Sequence, residues 1–497
     1  MTIPDYLKAA ADCFPDKTAL SDGSSALTFL QLYELSLSTA DLIGRRVSVG
    51  SRIGIFAHRS TSVVVSMFGT AVSGCCYVPL NPSFPDEKLK KILVDANISL
   101  IIGTGEESYT GTDLGCSFLS FSDIRSQNSS DAHGPFPELS DEAPLCIMYT
   151  SGSTGAPKGI LKSHGSFSNF IETYADCFGF SDREVIGNQT PFCFDASAKD
   201  IYLMLKTGAR LEIIPTQLFS FPVRLIEYLN EKEITMISWV PSALSLVSRM
   251  RTFRDIMPTT LQRVFFVGEV MPRKELESWR SALPDLQYVN LYGSSELAGI
   301  CCYYEFDKNS PVPDVIPIGH PLGNSEVFLQ AEDGSIIHEP GREGELLVSS
   351  AALADGYLND PLKTANVFSV LDTEDGSYRV LHTGDLAVLD EKGCLVYCSR
   401  RDHQIKHMGF RIELGEIEAA VNDLEYIAEA CCVYDAAKDR IVLFCTTSCS
   451  GLTLKAVNND LRDRLADYML PNRLIVLDEM PHNTNGKLDR VGLKARV

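Results

Sequence analysis

An apolar run, Leu145-Cys-Ile-Met148, opens directly into Tyr149-Thr-Ser-Gly-Ser-Thr-Gly-Ala-Pro-Lys-Gly-Ile160. The run has the length and flanks of a buried strand. The stretch after it offers almost nothing to pack. Its three glycines and four Ser/Thr hydroxyls let backbone N–H groups come close to an anion and add donors that can turn with it. Lys158 places a positive charge beside that nest. The combination suits a polyphosphate. It is not the Walker spacing, because Gly155 precedes Lys158 by only three residues. On composition alone a flexible polar loop fits equally well.

Residues 1–140 alternate helical and strand patterns, which argues for parallel α/β layers. Thr28-Phe-Leu-Gln-Leu-Tyr-Glu34 opens a helix with a capping-box-like start. Arg52-Ile-Gly-Ile-Phe-Ala57, Cys76-Tyr-Val-Pro-Leu80 and Ser99-Leu-Ile-Ile102 read as short strands. Further on, the stretches 234–242, 263–269 and 287–293 each read as a strand ending in a loop. With the strand before residue 150 they bring four strand ends to one crevice, the place where open α/β sheets hold ligands. After residue 402, short strands alternate with one long helix from Leu454 to about Met469. The predicted fold class is α/β: a large multilayer N-terminal domain with mixed and parallel sheets, and a small mobile α+β C-terminal domain.

A chain of 497 residues with 45% hydrophobic and 22% charged side chains has the composition of an ordinary soluble globular protein of at least two domains. Its net charge of −21 disfavours nucleic acid or an anionic membrane as main partner. The charge is uneven: residues 403–497 are nearly neutral, as a surface meeting an acidic partner would be, or as chance would leave it. No stretch reaches the roughly 18 apolar residues of a membrane span, and Met1-Thr-Ile-Pro-Asp-Tyr-Leu7 lacks the features of a signal peptide. The 15 cysteines are scattered in apolar, strand-like runs without a C-x-x-C zinc pattern. Reduced core thiols in a cytoplasmic protein are the expectation.

Pro191-Phe-Cys-Phe-Asp-Ala-Ser-Ala-Lys-Asp200 leads into a helix marked by Ala198, Ile201, Tyr202 and Leu205, with Ser197 as candidate cap. Asp195 falls beside aromatic residues, where a lone charge is costly without a partner. As an N-terminal helix carboxylate it would instead be stabilised by the helix dipole.

Taken in order, these stretches resemble the motifs of the adenylate-forming superfamily, which includes acyl-CoA synthetases, luciferases and the adenylation domains of nonribosomal peptide synthesis. The resemblance covers the whole chain. It implies that Thr150, Ser151, Gly152, Ser153, Thr154, Gly155 and Lys158 form the phosphate loop for ATP, with Thr154 in the catalytic set. Phe194-Asp195-x-Ser197 is similar to the motif in which amino-acid adenylation domains pair an Asp with the substrate's α-ammonium; acyl- and aryl-CoA synthetases generally lack it. Gly268-Glu269-Val270 is expected along the adenine, Asn290 at its exocyclic amine and Tyr292 on the ring, with Leu291 between them.

Tyr292-Gly293-Ser294-Ser295-Glu296 departs from the commoner Tyr-Gly-Pro-Thr-Glu. Ser295 keeps a hydroxyl for the α-phosphate, and Glu296 keeps the carboxylate expected on Mg²⁺. Gly341-Arg-Glu-Gly-Glu-Leu-Leu-Val348 and Ala354-Asp-Gly-Tyr-Leu358 match structural motifs. In His382-Thr-Gly-Asp385-Leu386, Asp385 matches the ribose-binding acid; Leu381-His382 replaces the family's Tyr-Arg, and His382 receives no role. Ser399-Arg400-Arg401-Asp402 resembles Gly-Arg-x-Asp, which assigns Arg400 to ribose and phosphate and Asp402 to the hinge. Gln404 to Glu418 matches a hairpin running into a helix. Lys487, in Gly486-Lys487-Leu-Asp-Arg490, matches the lysine that bridges the substrate carboxylate and the α-phosphate. The implied domains are 1–399 and 403–497, with a hinge at 400–402.

A carboxylate attacking a phosphate brings two anions together, and a lysine between them with Mg²⁺ on the leaving pyrophosphate offsets the repulsion. The expected reaction is formation of an acyl-adenylate, catalysed through Lys487, Glu296 and Thr154. Transfer to the phosphopantetheine thiol of a carrier protein would follow, after the C-terminal domain turns about Asp402. No carrier domain follows Val497, so the carrier is expected as a separate chain, in the manner of the D-alanine–carrier protein ligases. Pocket positions carried over from the motifs are Asp195, Ala196, Lys199, Ser238, Phe265, Val267, Leu291, Gly299 and Ile300. Phe265, Leu291 and Ile300 are bulky and leave room for a small amino acid. Lys199 would favour an acidic substrate if it points inward, but Lys206 on the same face suggests that the face is solvated. The alternatives are an acyl- or aryl-CoA synthetase acting on a non-amino acid, and a nucleotide-binding regulator without catalysis.

Overall fold

The computed structural model describes the chain except residues 108, 127–134, 151–156, 402–403, 450 and 483–487. It divides into two compact units. One comprises Met1–Asn81, Ala96–Met148 and Gly159–Arg401; the other comprises Pro82–Asp95, Tyr149–Lys158 and Asp402–Val497.

In the first unit, six parallel strands form the middle of a nine-stranded sheet: Gln287–Tyr292, Arg263–Val267, Met236–Trp239, Val185–Asn188, Arg210–Ile213 and Thr18–Ser21 lie side by side in that order. Antiparallel strands close its edges. Most positions along these strands are buried, Asn188, Glu212 and Asn290 among them, because helices cover both faces. Phe265 faces a core shared with the helices Phe29–Gly44, Thr61–Val72, His164–Phe178 and Ala198–Thr207, whereas the next residue, Phe266, faces a second core with Leu225, Leu244 and Trp279. The first core also takes Ile53, Tyr77 and Cys146 from a seven-stranded sheet. The helix Thr61–Val72 is buried on every side, as a helix between two layers must be. A third, antiparallel sheet is built on the long strand Gly376–Leu389.

The second unit holds the hairpin Gln404–His407 with Phe410–Glu413, the helix Leu414–Asn422, and a three-stranded sheet of Ile427–Asp435, Arg440–Thr447 and Arg473–Val476. Its core gathers Ile412, Ile417, Val421, Leu443, Val457 and Met469. Lys88 pairs with Glu416 at 2.7 Å, both buried, with the Phe84 ring 4.7 Å from the ammonium.

Thr28 caps the helix Phe29–Gly44 in a capping box with Gln31, as its sequence predicts. Two expectations need correction. The helix from Leu454 stops at Leu461, and Asp467–Met469 forms a separate 3₁₀ turn; Leu465, Ala466 and Met469 are all buried, and a turn inserts them into the core as well as a helix would. Ser197 does not cap the helix Ala198–Thr207, because its hydroxyl donates to the Phe194 carbonyl at 2.8 Å. Of the four strands expected to end at the crevice, three lie side by side in the nine-stranded sheet, and Pro144–Thr150 belongs to the seven-stranded sheet.

Gly69 marks where two helices press together: a Cβ there would lie 2.4 Å from Thr39 Cβ and 2.9 Å from the Ser36 carbonyl. In an open helix Gly→Ala gains about 1 kcal/mol, but overpacking costs about 1–3 kcal/mol. Gly69→Ala is therefore expected to lower the urea midpoint, and a raised midpoint would contradict the close crossing. A second prediction concerns His164, whose buried Nδ1 accepts the Ile3 N–H at 3.2 Å. Burial pushes its imidazole down to about 4, while the unfolded ring titrates near 6.5. Its contribution is complete above about pH 6.5 and is lost as the pH falls toward 4, by up to about 3 kcal/mol. Urea unfolding of wild type and His164→Gln should show a stability gap that narrows over that interval; a constant gap would refute it.

Candidate active site

Three neighbouring parallel strands deliver the residues expected around a nucleotide. Register sets Ser238 beside Phe265, Phe266 beside Asn290 and Val267 beside Leu291. Past Val267 the chain turns at Gly268 with φ +100°, a backbone setting that favours glycine. Glu269 then accepts the Ser242 N–H at 2.9 Å, tying this turn to the start of the helix Pro241–Arg249. Val270 is 72% exposed, and Asn290 donates to the Pro317 carbonyl at 2.7 Å.

Asp385 is the best-anchored acid of this group. It stands opposite Arg400 on paired strands; Arg400 Nη1 donates to Asp385 Oδ1 at 2.7 Å and Nη2 to the Thr383 carbonyl at 3.1 Å. The Tyr292 hydroxyl donates to the other oxygen, Oδ2. Just past Tyr292, a Cβ at Gly293 would meet the Gly299 carbonyl at 2.3 Å, so only glycine fits. Ser294 is half-buried with a buried hydroxyl that has no hydrogen-bond partner among the described residues. Ser295 is half-buried. Glu296 is buried and accepts the Tyr357 hydroxyl at 2.7 Å. A single carboxylate of this kind fits Mg²⁺ arriving with a nucleotide, because Mg²⁺ takes one or two protein carboxylates and fills its other positions with phosphate and water. Among the described residues no group of three or more His, Cys, Asp or Glu is arranged to hold a metal.

Asp195 opens a 3₁₀ turn before the helix Ala198–Thr207. Its side chain is 12% exposed, and the fully buried Lys162 ammonium donates to its Oδ1. Burial pushes the Asp195 carboxyl above its ordinary range and Glu296 adds to the rise, while Lys162 and, more weakly, Lys199 oppose it. Lys199 overturns the solvated-face expectation: it is 1% exposed, and Leu203 on the same face is buried too. Its ammonium donates to the Ala196 carbonyl at 2.8 Å and the Ser238 carbonyl at 3.3 Å, and pairs with Asp200 at 3.3 Å. Three donors with three partners leave nothing for an acidic substrate. Lys206, by contrast, is partly exposed and pairs with Glu172.

Phe265 packs against Tyr174, Phe178 and Phe180. At Gly299 a Cβ would lie 2.4 Å from the Phe170 ring. Val267, Leu291 and Ile300 are buried as well. Thr150 and Lys158 are half-buried at the edges of their strands. Ser151, Gly152, Ser153, Thr154, Gly155, Asp402 and Lys487 lie outside the described residues.

Sequence reasoning missed Lys162 and Tyr357. Lys162 carried a usable signal: it follows Ile160 by two residues in a strand, so it shares the inward face, and an inward lysine demands a carboxylate.

A layered α/β core bearing this constellation at its strand ends defines the adenylate-forming class of ligases. The chain belongs to the AMP-binding enzyme family: that family's model matches residues 7–358, and the model of the AMP-binding enzyme C-terminal domain matches 416–487. It is 31% identical to zwittermicin A synthase ZmaJ of Bacillus cereus, over 96% of this chain and 91% of that one. It is also 31% identical to the L-proline–L-prolyl-carrier protein ligase of Pseudomonas fluorescens, over 97% of each. Of two longer curated relatives it spans 36% and 45%. The Vibrio cholerae adenylation domain AlmE, solved with glycyl-adenosine-5′-phosphate, shares the fold with a TM-score of 0.84 over 99% of this chain and 97% of that one, at 22% identity.

Arg400→Ala should remove the cation beside buried Asp385 and cost about 3 kcal/mol, measured by urea unfolding. A loss under about 0.5 kcal/mol would show that Tyr292 alone satisfies the acid.

Proposed function

We propose that this chain activates a small amino acid as its aminoacyl adenylate, releasing pyrophosphate, and passes it to the phosphopantetheine thiol of a separate carrier protein. The observation that carries the reading is Asp195: a carboxylate withdrawn from solvent, paired through Oδ1 with Lys162 and within electrostatic reach of Glu296 and Lys199, with Lys199 fastened to Ala196 and Ser238 of the same pocket. Its second oxygen, which Lys162 does not bond, is left to accept a hydrogen bond from the substrate's α-amino group. The packed rings of Phe265 and Phe170 and the buried Leu291 and Ile300 support a small side chain. A carrier protein as acceptor is supported by the activity of the proline ligase, a relative matched over nearly its full length.

Each residue then has a task. Asp385, held by Arg400, receives the ribose hydroxyls; Asn290 and the Gly268–Val270 turn meet the base; Ser295 and the 150–158 loop meet the phosphates. Glu296 would hold Mg²⁺, which supplies charge to the departing pyrophosphate. Lys487 offsets the repulsion between carboxylate and α-phosphate, and Asp402 serves as the hinge between residues 1–399 and 403–497.

Lys487→Ala should abolish ATP–pyrophosphate exchange while leaving transfer from a supplied aminoacyl adenylate to the carrier thiol. Equal loss of both steps would refute that division of labour. Exchange assayed over all amino acids in both chiralities should find small side chains first; exchange confined to acids without an amino group would replace the reading with that of a CoA synthetase.

A further inference from the structure

Lys162 has no part in the chemistry described so far, yet it is the most confined charge in the pocket. It lies on the strand Lys158–Ser163, fully buried, 5.6 Å from the centre of the Phe167 ring. Its ammonium donates to the Leu297 carbonyl at 2.6 Å and to Asp195 Oδ1. No other carboxylate of the described residues bonds to it, and no other described group bonds to the Asp195 carboxylate. Each charge is therefore the other's counter-ion, and a buried charge needs one.

We propose that Lys162 is a specificity-determining residue: it balances Asp195 from inside the protein, so the site does not depend on a substrate ammonium and accepts small α-hydroxy acids nearly as well as α-amino acids. This rests on the reading of Asp195 as the group that meets the substrate's α-substituent. A lone buried carboxylate draws in an ammonium to complete its charge. A carboxylate already paired offers only its second oxygen, which a hydroxyl can satisfy by donating one hydrogen bond. An ammonium bound there would face Lys162 across a single carboxylate, two cations sharing one anion.

The neighbouring charges do not restore the deficit. Lys199 is matched by Asp200, and Glu296, the remaining acid, is bonded to Tyr357. The other titratable groups near the pair, Cys146, Tyr77 and Tyr202, are buried with their ionisation pushed up by desolvation, so they stay neutral.

The test is ATP–pyrophosphate exchange with matched pairs (glycine and glycolate, alanine and lactate, 2-aminobutyrate and 2-hydroxybutyrate, with both enantiomers of the chiral acids). Wild type should prefer the amino acid by less than about 10²-fold in kcat/KM, against the roughly 10⁴–10⁵ by which a site built around a substrate's polar group rejects the analogue lacking it. Lys162→Met should widen the preference at least tenfold at alkaline pH. It should also move the acid limb of KM for the amino acid to higher pH, because Asp195 loses the ammonium that opposes its protonation. Lys162→Arg should keep the wild-type ratio. A wild-type preference of 10³ or more overturns the proposal without any variant, as does a Met variant with an unchanged ratio and pH profile. Exchange with amino acids alone leaves the amino-acid reading standing and sinks this one; exchange with neither series sinks both.

Discussion

A carboxylate taken out of water must find a cation or a set of donors, and in the larger unit this requirement shapes the surroundings of the candidate-site acids. Asp385 draws Arg400 across a strand pair and Tyr292 from another sheet. Glu345 takes Arg401 at 2.8 Å and the Gly384 N–H at 3.1 Å, which fixes the turn that presents Asp385. Asp195 takes Lys162, and Glu296 takes Tyr357. Breaking a buried pair costs several times what an exposed one contributes. The same contacts that hold these acids in place therefore also lock the local fold.

The strand ends are the second constraint. Parallel strands packed on both faces have no freedom to slip, because a shift by one residue would exchange the Phe265 core for the Phe266 core. Register therefore carries Ser238, Phe265 and Leu291 into one neighbourhood without any specific contact among them. What lies beyond each strand is freer, and there small residues recur for steric reasons: Gly293 because the Gly299 carbonyl comes close, Gly299 because Phe170 does.

The sequence made the elements legible wherever one local rule dominated. The capping box at Thr28, the strand-like runs at 263–267 and 287–292, and the hairpin leading into Leu414–Asn422 all follow from patterns a few residues long. It misled wherever tertiary contact outweighed the local rule. Ser197 had a cap to make and bonded backward instead, and the apolar spacing after Leu461 described burial without describing a helix. Lys199 and Lys206 lie two helical turns apart, yet one is sealed under Ala196 and Ser238 while the other reaches Glu172 in partial solvent. No periodicity distinguishes them, because the difference lies in what packs beside each, Ser238 of a strand at Lys199 and Glu172 of a helix at Lys206.

The motifs and the buried lysines therefore inform at different levels. Hydroxyl, glycine and acid spacings along the chain specify the reaction, since ATP demands the same groups whatever acid it activates. The acid is selected by side chains that no spacing rule describes, each decided by what is packed behind it. Two lysines reach the pocket walls. Lys199 is neutralised by Asp200 and two carbonyls, and so leaves the pocket uncharged. Lys162 is neutralised by Asp195, the carboxylate proposed to face the substrate, so on that reading its charge cannot be separated from the recognition of the acid. Removing Lys199's charge would alter a wall; removing that of Lys162 would alter what the wall attracts.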